Sequence, residues 1–160
     1  MANIYVRSTD GSDANSGATW ALAKATLTGA AAIEAAGDTI FLSQVHAETT
    51  AAAISFTLSG TPSAPTKVVC GNDGSEPPTA VATSATITTT GNSNIAIPAS
   101  SSQLYVYGIT FNPGNGAAGA SSFSLASPSI IQFEGCSFLI GTSGAGNVLC
   151  DTGAAGVHHV

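Results

Sequence analysis

"QLYVYGITF", residues 103–111, and "IIQFEGCSF", residues 130–138, carry one pattern twice. Val106–Phe111 matches Phe133–Phe138 position by position, Gly108 with Gly135, Ile109 with Cys136 and Phe111 with Phe138; the offset is 135 − 108 = 27. A further step of 27 from Phe133 lands on Val160, so the closing "HHV" falls where "LYV" and "IQF" stand. A second class of strand precedes each copy: Ile95 and Ile97, Phe123 and Leu125, Val148 and Cys150 alternate inward, about eight to ten residues ahead of their partners. One such unit cannot bury its own apolar face, whereas stacked units share a continuous core. The pattern predicts a solenoid. A β-sandwich also spaces short strands regularly, but the matched glycines and phenylalanines favour coils of a parallel β-helix. Gly108 and Gly135 then sit at corners, where the backbone bends without a Cβ, and Phe111 and Phe138 stack inside.

Upstream of the repeat, "DTIFLS", "ISFTLS", "TKVVC", "SATITTT" and "NIAIP" read as short strands, as do "SFSLAS" and "NVLCDT" further on. The first strand is "NIYVR", Asn3–Arg7, with Ile4 and Val6 on one face and Tyr5 on the other. A polar loop, "GSDANSGATW", residues 11–20, leads into "TWALAKATLTGAAAIEAA", residues 19–36. There Ala23, Leu27, Ala30 and Ile33 form one stripe at helical spacing, with Lys24 and Glu34 facing water. This predicts a single helix, capped by Thr19 or Thr26 and stopped by Gly37 in a positive-φ conformation.

The 160 residues suit one domain with one core. Charged residues are only 8%, against roughly 25% in ordinary domains, so Ser, Thr, Asn and Gly supply the polarity. Arg7, Lys24 and Lys67 are the only Lys or Arg residues in a chain of net charge −6. With no cationic cluster to neutralise phosphates, neither nucleic acid nor an anionic membrane surface is an expected partner. Cys70, Cys136 and Cys150 are odd in number and form no CxxC pair, and read as small buried hydrophobes. "MANIYVRSTD" lacks the features of a signal peptide, and no apolar run approaches the roughly 18–20 residues of a membrane span. The expectation is a protein made in the cytoplasm that leaves it, if at all, without the usual secretion route.

With "GSDANSG", the alanine-rich run and "AGDTI" on one line, residues 3–48 resemble the N-terminal segment of right-handed parallel β-helix proteins of the pectin-lyase-like class. The resemblance implies an all-β, right-handed parallel β-helix with one N-terminal capping α-helix over the open end of the solenoid. Residues 1–48 would supply the first strand, the capping helix and the first coil, and residues 49–160 further coils. The chain departs from the class after "DTIFL", where a proline-glycine turn is usual and "SQVHAETT" stands instead. The middle stretch "GTPSAPTKVVCGNDGSEPPTAVATSA" and the Ala, Gly, Ser and Thr-rich style are similar to β-helix proteins of tailed bacteriophages.

Enzymes of this class gather acids, and in lyases a Lys or Arg, on one exposed face of the coils. Here no Lys or Arg follows Lys67, and from residue 77 onward the only carboxylates are Glu134 and Asp151. No catalytic, cofactor-binding or metal-binding residue is therefore assigned. Asp10, Asp13 and Asn15 are a calcium loop only in outline, because the twelfth position from Asp13 holds Lys24 where an EF-hand needs Glu; turn bonds that order the loop are the expected role. His46 and Glu48 stand at i and i+2, as neighbours on one strand face would. His158 and His159 are adjacent and point to opposite faces of a strand, a poor chelate. Trp20 reads as a core anchor for the helix.

The functional expectation is a structural virion protein of a tailed bacteriophage, decorating the capsid or attached to the head, assembled in the host cytoplasm and free of catalysis and cofactors. Its partners would be other virion proteins and copies of itself, a trimer being carried over from the resemblance. Rows of Ser, Thr and Asn on the coils would make a low-charge surface suited to such contacts. The alternative is the N-terminal part of a tailspike or tail-fibre β-helix that binds or degrades host surface polysaccharide. "AAGVHHV" ends as a repeat enters its strand, which implies a longer natural chain or a second subunit covering that edge.

Overall fold

The computed structural model describes residues 1–98, 103–116, 121–125, 130–139, 148–151 and 158–159, with backbone alone at 115–116, 148–151 and 158–159. The expectations for Val160 and for the side chains of Val148 and Cys150 lie outside these residues. The strands, in chain order, are β1 (Asn3–Val6), β2 (Thr39–Ser43), β3 (Ala47–Thr50), β4 (Ile54–Ser55), β5 (Thr66–Gly71), β6 (Ala85–Thr89) and β7 (Ile95–Ile97). They continue as β8 (Gln103–Tyr107), β9 (Ile109–Asn112), β10 (Ser122–Leu125), β11 (Ile130–Glu134), β12 (Ser137–Phe138), β13 (Val148–Asp151) and β14 (His158–His159). One α-helix, α1 (Leu27–Ala31), and two 3-10 turns, Trp20–Leu22 and Pro113–Gly116, complete the described elements.

The fold is all-β apart from that short helix. Three sheets form, ordered β1-β2-β5-β8-β11-β14, β3-β6-β9-β12 and β4-β7-β10-β13, here called A, B and C. Every ladder between these strands is parallel. From β2 onward the chain enters A, B and C in turn and then returns to A. The repeat read in the sequence governs the later ladders: Ile131 pairs with Leu104 on one side and His158 on the other, and Phe138 with Phe111.

Because side chains alternate along a strand, this register lines like positions up in rows. Ile4, Ile40, Val68, Val106 and Phe133 form one inward row of sheet A, and Ile87, Phe111 and Phe138 one of sheet B. Phe111 and Phe138 stack at 5.7 Å with an interplanar angle of 15°. Between β8 and β9 stands Gly108 at φ +74°, and between β11 and β12 Gly135 at φ +60°. A Cβ on Gly108 would collide with the Ala82 carbonyl oxygen, so this corner requires glycine twice over, by conformation and by space.

The helix is much shorter than the hydrophobic stripe predicts. Both threonines act as caps, Thr19 accepting from Leu22 N–H and Thr26 from Gly29 N–H, each at the start of its own short segment. Between them Ala23 is extended and Lys24 pairs with Val6. The cause is Asp13: its Oδ1 accepts from Ala25 N–H at 2.9 Å and Thr26 N–H at 3.0 Å, amides that a continuous helix would direct at its own carbonyls. Lys24 and Glu34, expected in water, are buried, whereas Ile33, expected on the buried stripe, is 46% exposed. The outer edge of β1 is closed by the same segment, through Tyr5 N–H to Gly17 O, Lys24 N–H to Tyr5 O and Arg7 N–H to Lys24 O.

Candidate functional site

All eight acids whose side chains are described accept hydrogen bonds from the chain itself. Asp38 takes the Ala2 and Ala35 amides; Glu34 takes the Ser59 amide and the Thr66 hydroxyl. Glu48 takes Leu27 N–H, the first amide of α1, at 3.0 Å, and Glu76 takes the Trp20 amide at 2.6 Å. Asp73 accepts from Ser43 Oγ at 2.7 Å and lies 3.5 Å from Arg7 Nη1. Asp10 pairs with Arg7, which holds its carboxyl below the usual carboxylate range. Glu134 accepts from Tyr105 Oη at 2.9 Å. An amide without such an acceptor is costly when buried, so Asp38, Glu34, Glu48 and Glu76 fasten backbone where no neighbouring strand does, while Asp73, Asp10 and Glu134 take side-chain donors.

The remaining member, Asp13, settles the role of the polar loop. Besides its two amide bonds it accepts from the Thr26 hydroxyl at 2.8 Å, its own carbonyl receives Lys24 Nζ at 2.8 Å, and Asn15 Nδ2 donates to Ala23 O at 3.0 Å. Asp10 is turned away to Arg7, so the three residues do not converge on one point. Among the described residues no group of three His, Cys, Asp or Glu side chains is placed to hold a metal ion.

His46 is buried beside Glu48, its Nε2 3.5 Å from Glu48 Oε2, and neither ring nitrogen makes a hydrogen bond with the described residues. Glu48 occupies the inward row of Ile87 and Phe111, where the alternation of an apolar strand would put a hydrocarbon. Trp20 is buried, but not under α1. It packs edge-on against Tyr5 at 4.8 Å, on the opposite face of sheet A from Ile4, and Nε1 donates to Ser75 O at 3.0 Å. His158 and His159 lie on β14, beside Ile131 and Gln132. Cys70 is a buried free thiol; Cys136 is half-buried, and burial pushes its thiol up from the ordinary value.

The three outward faces differ in chemistry. Sheet B presents Ala47, Thr86, Thr110 and Ser137 in one row and Thr49, Thr88 and Asn112 in the next. Sheet C presents Ser55, Ala96 and Ser124. Sheet A instead aligns Lys67, Tyr105 and Gln132, and beside them Val69, Tyr107 and Glu134. Tyr105 and Tyr107 stack at 6.5 Å, and burial together with the Glu134 carboxylate pushes Tyr105 up to about 12. Over β1 and β2 this face is covered, since Trp20 packs on Tyr5 and is bonded to Ser75 and Glu76. Over β5, β8 and β11 Lys67, Gln132 and Glu134 are exposed.

Clefts among the described residues accompany these faces. One, of about 100 Å³, lies between Phe41, Val69 and Pro78–Val81 and is lined by no titratable side chain. Another, of about 230 Å³, lies between α1 and Ser55–Thr57 and carries no titratable side chain. The sequence reading missed the aromatic and charged stripe of sheet A; its signal is the outward phase of "TKVVC", "QLYVY" and "IIQFE". Searches against protein-family models, curated proteins and solved structures found no match.

Proposed function

We propose that the cyclic order of sheets A, B and C winds as a right-handed parallel β-helix closed at β1 by residues 8–37, and that the chain is a structural protein of a tailed-bacteriophage virion. Right-handed crossovers are the overwhelming rule for parallel strands in one sheet, and in-register rows of Phe and Ile suit stacked coils. The observation that carries a structural role is the engagement of every described carboxylate by the chain's own donors. Five of them hold backbone amides in place, and on the exposed face of sheet A Glu134 is tied to the Tyr105 hydroxyl. The virion assignment rests on the resemblance of residues 3–48 and on the Ser and Thr-rich faces, which suit contact with protein neighbours. In this reading the chain is assembled in the host cytoplasm, decorates the capsid or attaches to the head, and associates with other virion proteins and with itself.

Antibody-gold labelling of purified particles of the encoding phage tests the assignment. Label on the head is the expected result, and particles without the chain refute it. The half-buried pair Tyr105 and Tyr107, flanked by Gln103 and Gln132, favours a second reading, in which a tail-borne β-helix stacks sugars on those rings. Label on the tail with retention of host surface polysaccharide by the purified chain would establish that reading instead.

A further inference from the structure

We propose that the uncovered part of sheet A is a two-fold interface, and that its occupant is the same face of a second copy of this chain. The inference goes beyond the virion assignment and does not depend on it. Lys67 lies on β5, Tyr105 and Tyr107 on β8, and Glu134 on β11, in neighbouring positions of one ladder system. Arg7 is paired with Asp10 and Asp73, and Lys24 Nζ is bonded to Asp13 O. Lys67 is exposed, and its ammonium makes no ion pair with the described residues. Glu134 is exposed as well, and its carboxylate is held in place by the Tyr105 hydroxyl. The face therefore carries one positive flank and one negative flank, each about one strand spacing of 4.8 Å from a tyrosine centre line.

That arrangement is self-complementary in one orientation. When two such faces meet with the two-fold axis along β8, rotation exchanges the flanks and lays β11 of the second copy over β5 of the first. Lys67 then faces Glu134 of the other copy twice, and Tyr105 and Tyr107 meet their own equivalents on the axis. An axis across the strands would instead set Lys67 over Lys67 and Glu134 over Glu134. The offset along the strand between the two charges is two residues, about 6.6 Å, within the reach of a lysine side chain. The threonine and serine faces of sheets B and C offer no such pairing, and in a chain of net charge −6 a like-with-like contact needs a face whose charges cancel.

Sedimentation equilibrium of the full chain over a concentration series tests the proposal, with Lys67→Glu, Glu134→Lys and the double exchange compared. Wild type should approach twice the 15.6 kDa chain mass. Each single exchange should raise the dimer dissociation constant on the order of 100-fold, through juxtaposed like charges. The double exchange should restore the dimer, and added salt should weaken it. Both positions are on the surface, and far-UV circular dichroism verifies that each variant folds. A wild-type monomer at every concentration, a trimer, or a dimer indifferent to both single exchanges overturns the proposal. Polysaccharide that binds wild type and is lost in Tyr105→Ala, with no dimer, would assign the face to sugar instead.

Discussion

Glu48 reaches across from β3 to accept the amide of Leu27 at 3.0 Å, so a carboxylate in an otherwise apolar row fastens the start of α1. Replacing it with alanine leaves that buried amide without its acceptor, and thermal or urea unfolding should show a loss of about 1–3 kcal/mol. Glu48→Gln keeps an acceptor and should lose less. His46, buried with no hydrogen bond from its ring among the described residues, should tolerate leucine within about 1 kcal/mol. Equal losses in Glu48→Ala and Glu48→Gln would remove the amide from the explanation.

Gly108 and Gly135 occupy equivalent corners with unequal surroundings. The nearest atoms to an alanine methyl at Gly135 belong to Thr83 and Tyr107, at 3.6 Å, so its cost is the left-handed conformation, about 1–2 kcal/mol. At Gly108 the same methyl also strikes the Ala82 carbonyl. Gly108→Ala should therefore be the more destabilising, by at least about 1 kcal/mol in a denaturant series, and a reversed order would contradict the corner geometry.

Phe111 is fully buried and touches Phe123, Phe133 and Phe138 with ring centroids at 4.9, 6.2 and 5.7 Å. Phe111→Ala should cost about 3–5 kcal/mol. The same change at Phe138, which is only partly buried, should cost less. Similar losses at both sites would mean that the ladder is not the centre of the packing.

Tyr105 should ionise near pH 12, above the ordinary phenol value of 10.0, because burial and the Glu134 carboxylate both disfavour the phenolate. The folded value lies above the unfolded one, so the stability this group contributes is whole below pH 10 and is lost as pH rises toward 12. Ultraviolet titration of the phenolate should place the Tyr105 step earlier in Glu134→Gln. An unmoved step would leave burial as the sole cause.

What the sequence made legible follows from alternation. Ile4 and Val6 against Tyr5, or Leu104 and Val106 against Tyr105, announce an inward and an outward face before any coordinates. β3 escaped because its inward residue is Glu48 and its neighbours are Ala47 and Thr49, so no apolar period marks it. "ISFTLS" reads as one strand; the strand itself is only Ile54–Ser55, with Phe56 N–H still bonded to Ala96 O, while Phe56 and Leu58 stay buried, so alternation reports burial over a longer stretch than the strand. At its start the helical stripe overran because the amides of Ala25 and Thr26, just ahead of α1, are captured by Asp13. The stripe of sheet A was hidden by register. Lys67 and Tyr105 stand side by side at a sequence separation of 105 − 67 = 38, and the repeat, with its offset of 27, does not announce that pairing.

The all-parallel ladders also decide how this chain finds its fold. Among the described strands, no two that adjoin in a sheet are joined by a hairpin: the shortest ladder separation, Ala85 with Ile109, is 109 − 85 = 24, and the longest, Ile54 with Ile95, is 95 − 54 = 41. Loop-closure entropy distinguishes these two by only roughly 0.5 kcal/mol. Among the described ladders there is thus no local strand pairing to form first and no strongly preferred one to begin with. Folding should be slow for a chain of this size, on the millisecond-to-second scale of non-local β proteins. Until a second strand docks, each strand waits with an open edge.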